Sequence, residues 1–291
     1  SMDALPQTGE TVMGQDVELH PGGKGANQAV ACALLGGNAN FIAMLGDNAD
    51  TTLLDHMFDK VGLGIEGIGR VPNVTTGVAY INVDQKGQNT IIVVPGANAL
   101  CTREFLISRD DYITEADYIL LQLEIPLDAV EYIINRAKEL NKQIVLNPAP
   151  MPKGMILPFI GKVDYLTPNE TELNSLTGMP VGTIDEISTA AQSLLKTGVK
   201  NVIVTVGKRG ALLVTSNEQA HFAPPQIEVV DTTAAGDTFN GAVVVGLAEG
   251  MSLHQSIRFA NAAATLTVSR KGAQSAIPDR REVDSFLKRT K

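Results

Sequence analysis

The sequence has no tryptophan, only two cysteines and only four histidines, and each scarcity closes off some chemistry. Cys32 and Cys101 stand far apart and imply no disulfide framework; they read as ordinary thiols of a reducing compartment. His20, His56, His221 and His254 show no ligand spacing, which argues against a histidine-built metal centre. No apolar run approaches the roughly 18 residues of a membrane span, and no signal peptide is recognisable. Basic residues are in deficit, 23 against 32 acidic, for a net charge of −9. That balance argues against nonspecific nucleic-acid binding and against docking on an anionic membrane. There is no G-x-S-x-G elbow, no Walker A loop and no strand-led G-x-G-x-x-G fingerprint. Those gaps disfavour a serine hydrolase, a P-loop enzyme and a Rossmann dehydrogenase.

What the chain does have is core material, with 44% apolar and 19% charged residues. Its C-terminal two-thirds alternates strand and helix patterns. "DYILLQLE" reads as a strand, "PLDAVEYIINRAKELN" as a helix, and "QIVLNPAP" and "VDYLTPNE" as strands. "TELNSLTG" opens a helix, "EISTAAQSLLKTG" is another, and "NVIVTVG" is a strand. This alternation predicts a mostly parallel sheet with helices on both faces, in one α/β domain over 1–291. Ligands then collect beyond the carboxyl ends of the strands, where "LNPAP", "LTPNETE", "VTVGKRG" and "DTTAAGD" fall. Residues 71–94 differ. Two β-rich runs flank "QKGQ" and predict a hairpin, joined by about 5–20 into a small antiparallel sheet.

Two motifs hold most of the chemistry. In "PGGKGANQAVACALLGG", Gly22, Gly23 and Gly25 permit close backbone approach, and Lys24 and Asn27 set polar groups beside them. The same pattern also suits a tight loop that packs an Ala-rich helix. In "DTTAAGDTFNGA", Ala234, Ala235 and Gly236 stand where a helix begins, and the free N–H groups there form an anion site. Asp237 in the first turn is placed to take a proton from a hydroxyl nucleophile, or simply to complement the helix dipole. Asn169 and Glu172 share a helix face, either for water-held Mg²⁺ or as a helix cap. "GKRG" is a turn after a strand or a loop around phosphates.

"GGKGANQA", "NPAP", "TPNETE", "VTVGKRG" and "DTTAAGDTFNGA", in this order and continuing to "RFANAAATLTVSRKGAQSAIP", resemble the ribokinase family of PfkB-type carbohydrate kinases over nearly the whole chain. The resemblance implies a ribokinase-like α/β fold and ATP-dependent phosphorylation of D-ribose at its 5-hydroxyl. Asp237 matches the base, and Ala234, Ala235 and Gly236 match the anion hole. Gly23, Lys24, Gly25, Asn27 and Glu124 match sugar contacts. Asn169, Thr205, Gly207, Lys208, Gly210, Gly236 and Asn261 match the nucleotide site, with Glu172 placing Mg²⁺ through water. Asp231, Thr233, Thr267, Arg270 and Gly272 match a monovalent-cation (K⁺) site built mostly of carbonyls, with Ala276 where the family often has serine. The small sheet matches a lid that also forms a homodimer contact, and the family's setting is cytoplasmic.

One departure stands out. The family opens on a strand whose Asn and Asp grip sugar hydroxyls, whereas here "LPQTGETVMG" matches the segment just after it. The expectation is a sheet lacking that first strand, with Asp3 read as a lid residue. A kinase for another sugar or a nucleoside, or a catalytically weak sugar- or nucleotide-binding protein, are the alternatives this leaves.

Overall fold

The computed structural model describes residues 5–6, 8–47, 49–84, 89–152 and 154–290. Asp3 and the turn at 85–88 lie outside them. The first half holds α1 (Lys24–Leu34), β1 (Met44–Gly46), α2 (Ala49–Val61), β2 (Gly69–Val71), β3 (Val78–Val83) and β4 (Asn89–Val94). It goes on through α3 (Arg103–Ile107) and α4 (Asp110–Glu115) to β5 (Tyr118–Leu121) and α5 (Leu127–Glu139). The second half runs β6 (Gln143–Leu146), β7 (Tyr165–Leu166), α6 (Glu170–Thr177), α7 (Ile184–Leu195), β8 (Asn201–Thr205), β9 (Ala211–Thr215) and β10 (Gln219–Phe222). It closes with α8 (Ala235–Ala248), α9 (Leu253–Val268) and α10 (Arg280–Arg289).

The central sheet has the order β10-β9-β8-β7-β6-β5. β5 to β8 are parallel, and β9 and β10 add on antiparallel. The central strands β6, β8 and β9 are buried on both faces and read as continuous apolar runs, whereas the edge strands β5 and β10 are half-buried and largely exposed, respectively. Within β8, Val202 and Val204 pack with Ile134 of α5, Leu173 of α6 and Ile187 of α7, while Ile203 faces Phe239 of α8 and Phe259 of α9. Helices therefore cover both faces, as the alternation predicts. At the amino end of β7, buried Asp164 is clamped by Lys138 at 2.9 Å and Lys200 at 2.6 Å.

β5 is an edge of this sheet, and β1 and β2 form a separate parallel pair. No strand precedes β1 among the described residues. The β3–β4 hairpin is present, but 10–19 does not join it as a strand; it has only a single bridge position at Gly14. Met13, Val17 and Leu19 of that stretch are 86%, 89% and 74% exposed. A strand pattern whose apolar side chains find no surface to cover gains nothing from pairing.

Helix starts divide into two kinds. α6, α7, α9 and α10 each open on a capping box, in which the N-cap side chain and the N3 side chain satisfy each other's backbone. α1 and α8 have no side-chain cap. Their amino ends meet at the carboxyl side of the sheet.

Candidate active site

α1 and α8 approach closely because their contact is made of small residues. A Cβ at Gly241 of α8 would lie 2.8 Å from the Ala31 methyl and 2.9 Å from the Gln28 carbonyl of α1. The Ala-rich helix thus packs chiefly on α8, while Cys32 and Leu35 reach the sheet core. One turn before Gly241, this contact brings Asp237 against Asn27 and Gln28.

Asp237 is 7% exposed. Its Oδ2 accepts from Asn27 Nδ2 at 2.8 Å and its Oδ1 from Gln28 Nε2 at 3.0 Å. Burial pushes this carboxyl above the ordinary aspartate range, opposed by the Lys24 charge and by the two amides. A raised carboxyl that keeps its acceptor geometry suits general-base work near neutral pH.

Just ahead of it, Ala234 is the N-cap of α8 in the left-handed region, φ 59°. Alanine pays about 1–2 kcal/mol there. The Thr238 N–H closes the first helical bond onto Ala234 O at 2.8 Å, leaving the amides of Gly236 and Asp237 without an intrahelical acceptor. A Cβ placed on Gly236 would meet nothing within 4 Å, so open room lies in front of those amides.

The α1 loop enters from the other side. Gly23 caps α1 at φ 91°, and the Lys24 N–H donates to Glu124 Oε2 at 2.8 Å. Gly25 packs against Gln122 and Phe41, with no space for a larger residue without displacement. Burial raises the Glu124 carboxyl, opposed by the Lys24 amide and charge; Glu172 is raised by burial too, opposed by the Asn169 amide and the Lys24 charge. Both sense the charge on Asp237, so three carboxylates surround one lysine.

Asn169 and Glu172 do form a capping box. The Glu172 N–H donates to Asn169 Oδ1 at 2.8 Å, and the Asn169 N–H to Glu172 Oε2 at 2.9 Å. The capping reading holds for this pair, and the same box fixes the Glu172 carboxyl, which also senses the Lys24 charge. Thr205 bridges to Asn169 at the end of β8. Gly207 follows at φ 55° with open space at its Cβ position, and Lys208 is exposed. Gly210 is needed for packing: at φ 91°, a Cβ there would come within 2.0 Å of Phe222 O. Asn261 is buried behind this loop and donates to that same Phe222 carbonyl at 2.9 Å.

The 231–233 and 267–272 segments also come together. Asp231 Oδ1 accepts from the Thr233 amide at 2.9 Å and the Thr233 hydroxyl at 2.7 Å, and Oδ2 from the Gly272 amide at 3.0 Å. Burial alone would raise Asp231, but these donors hold it below the usual range. Thr267 Oγ1 donates within this region to Thr238 Oγ1 at 3.0 Å, and its carbonyl accepts from the Arg270 amide at 3.1 Å. The Arg270 guanidinium turns away to Glu282. Among the named residues, the backbone carbonyls, Asp231 and the Thr233 and Thr267 hydroxyl oxygens are the oxygen donors that a monovalent cation would find here. No group of three His, Cys, Asp or Glu side chains among the described residues is placed to hold a metal ion. That donor set suits Mg²⁺ bound mainly by phosphates and water rather than a protein cage.

Sequence reading missed Gln28, Gln122, Asn147 and Gln274. All four stand inside quoted stretches, "GGKGANQA", "DYILLQLE", "NPAP" and "RFANAAATLTVSRKGAQSAIP", so a polar side chain in an otherwise small or apolar run was the available signal.

The model for the pfkB family carbohydrate kinases matches residues 2–280. A ribokinase from Haemophilus influenzae is 37% identical over 289 residues, covering 99% of this chain and 94% of that one. A deoxyribokinase from Salmonella typhi is 34% identical over 285 residues, covering 97% and 92%. An Arabidopsis thaliana ribokinase, solved in complex with ribose and ATP, has a TM-score of 0.92 at 36% identity, covering 98% of this chain and 93% of that one. With a ribokinase-like α/β fold and this extent of match, the chain belongs to the PfkB family of ATP-dependent carbohydrate kinases.

Proposed function

We propose that the chain transfers the γ-phosphoryl group of ATP to the 5-hydroxyl of D-ribose. The observation that carries this reading is Asp237: a buried carboxylate, aimed by two amides, at the uncapped mouth of α8. Phosphoryl transfer needs positioning and charge stabilisation more than covalent chemistry. Asn27, Lys24, Glu124 and the Gly23–Gly25 backbone hold the sugar. Asp237 takes the proton of the attacking hydroxyl. The free amides opening α8 at Gly236 and Asp237 stabilise the charge on the transferring group; of the expected 234–236 set, the Ala235 N–H is instead held by Thr232 O at 3.3 Å. Thr205, Gly207, Lys208, Gly210 and Asn169 line the nucleotide, and Asn261 supports that loop through Phe222.

Mg²⁺, when bound with the nucleotide, neutralises phosphate charge, and Glu172 orients its water shell. Carbonyls of 231–233 and 267–272, beside Asp231, would hold K⁺, whose charge would steady the loop before α8. The β3–β4 hairpin covers the sugar and pairs two copies into a homodimer. Two buried free thiols suit a cytoplasmic setting.

The test is ADP release with Mg·ATP and K⁺, with and without D-ribose. Ribose-dependent turnover is expected, with Asp237→Asn lowering kcat by about 10²–10⁴-fold and leaving the ATP KM little changed. An Asp237→Asn variant of undiminished kcat overturns the mechanism. The deoxyribokinase relative favours 2-deoxy-D-ribose as the second reading. A higher kcat/KM for deoxyribose than for ribose selects it. Binding of sugar and ATP without ADP release selects a binding protein instead.

A further inference from the structure

The reading of Asp237 as general base leaves one neighbour without a role. Gln28 is 1% exposed, and it lies on α1 with every polar atom engaged. Its Nε2 donates to Asp237 Oδ1 at 3.0 Å and to Asn147 Oδ1 at 3.1 Å. Its Oε1 accepts from Gln122 Nε2. Asn147 in turn donates to Thr167 O at 3.0 Å. On the other carboxylate oxygen, Asn27 donates at 2.8 Å, and its own Oδ1 accepts from Gln274 Nε2 at 3.2 Å.

These amides all point one way. An ionised carboxylate only accepts, so the amides touching it must present NH₂ and send C=O outward. Each outward oxygen then needs a donor from the next shell, and Gln122 and Gln274 supply it. Reversing Gln28 would set its oxygen against Asp237 and Asn147 and its NH₂ against the NH₂ of Gln122. On the Gln28 side the orientation is fixed, because Asn147 donates to the Thr167 carbonyl and so must turn its oxygen to Gln28; on the Asn27 side Gln274 Oε1 is buried without a partner. The Gln28 arm is thus written for the charged form of Asp237.

We propose that Gln28 is a positioning residue, which Gln122 and Asn147 anchor so that it fixes Asp237 as an ionised acceptor in one orientation. It touches no substrate and acts through Asp237. It also leaves each carboxylate oxygen a lone pair, so either can meet a substrate hydroxyl without the ring of donors moving.

The charged groups acting on Asp237 are Lys24 at the head of α1, Glu124 after β5 and Glu172 on α6. Burial and the two carboxylates favour the protonated form; Lys24, Asn27 and Gln28 favour the charged form. Taking away one donor moves Asp237 upward, so a higher pH is needed to ionise it. The acid limb of kcat/KM follows in the same direction.

The experiment uses the full chain and two variants, Gln28→Met and Gln122→Leu. Two readouts are taken: the pH profile of ribose-dependent ADP release, and infrared titration of ¹³C-aspartate carboxyls, with Asp237→Asn identifying the band. In Gln28→Met, both the acid limb and the Asp237 band are expected to move up by about one pH unit. The value of kcat should fall about tenfold with the ATP KM within twofold. Gln122→Leu, which does not touch Asp237, should move both the same way by less. If the band and the limb stay in place while only melting temperature falls, Gln28 is a packing residue and the proposal is overturned. If Gln28→Met does not fold, Gln122→Leu decides it by the same readouts. If the wild-type chain does not turn over ribose, or Asp237→Asn keeps its kcat, the functional reading fails separately, and the infrared titration still judges Gln28.

Discussion

Gly236 contributes little to the fold that alanine would not. Its backbone is not left-handed, and a Cβ there meets nothing within 4 Å. Gly210 is the contrast, since both its φ of 91° and the carbonyl 2.0 Å from its Cβ position require glycine. In a helix, alanine is favoured over glycine by about 0.5–1 kcal/mol. On the proposed mechanism, a glycine at Gly236 has its use in the room it leaves beside the free amides of α8, where the phosphoryl group would come close. Gly236→Ala is expected to keep or slightly raise the melting temperature while lowering kcat at least tenfold. Thermal melting and ADP release on the same preparation check this. Unchanged kcat would show that the transferring group does not pass over Gly236.

The elements place these residues through one close contact. Gly241 lets α8 lie directly on Ala31 and the Gln28 backbone, and Asp237 is four residues before it. Gly241→Ala adds a methyl where two contacts already fall below 3.0 Å, so α8 must move off α1. Overpacking of this kind costs about 1–3 kcal/mol. The expected result is a lower denaturation midpoint together with reduced kcat, because the same shift separates Asp237 from Asn27 and Gln28. A loss of stability with full kcat would show that the carboxylate is positioned independently of the contact. This level was largely legible in the sequence. β6 and β8 are runs buried on both faces, β5 is a half-buried edge run, and α5 and α7 carry apolar stripes that period alone identifies. The stretch 10–19, part of the 5–20 expected in the small sheet, forms no strand, and its Met13, Val17 and Leu19 cover no surface. The amide network was not legible for a different reason. Gln274 and Asn27 are 247 positions apart, and Gln28 and Asn147 are 119 apart. Buried amides have no periodic pattern, so only the packing of α1 on α8 and on the strand ends reveals them.

At the scale of the molecule, the parallel strands converge on one side. Beyond β5 stand Gln122 and Glu124, beyond β6 Asn147, beyond β7 Asn169, and at the end of β8 Thr205 and Gly207. Ligands of open α/β sheets collect there, whereas Asp164 and its two lysines tie the opposite end. The β3–β4 hairpin does not share in either core. Tyr80 pairs with Ile92, and Ile81 with Ile91 one residue along, so the two pairs face opposite sides of the ribbon. All four side chains are more than half exposed, at 58%, 60%, 52% and 55%. A two-stranded ribbon with both faces apolar and open is not stable by its own burial. The proposed lid role and the proposed homodimer contact would cover one face each. Sedimentation velocity should then give a dimer for the wild-type chain. Of the variants Tyr80→Asp and Ile81→Asp, one should release monomers and the other should raise the ribose KM with the dimer intact. If the wild-type chain sediments as a monomer at micromolar concentration, the second face has another partner, and the dimer reading is wrong.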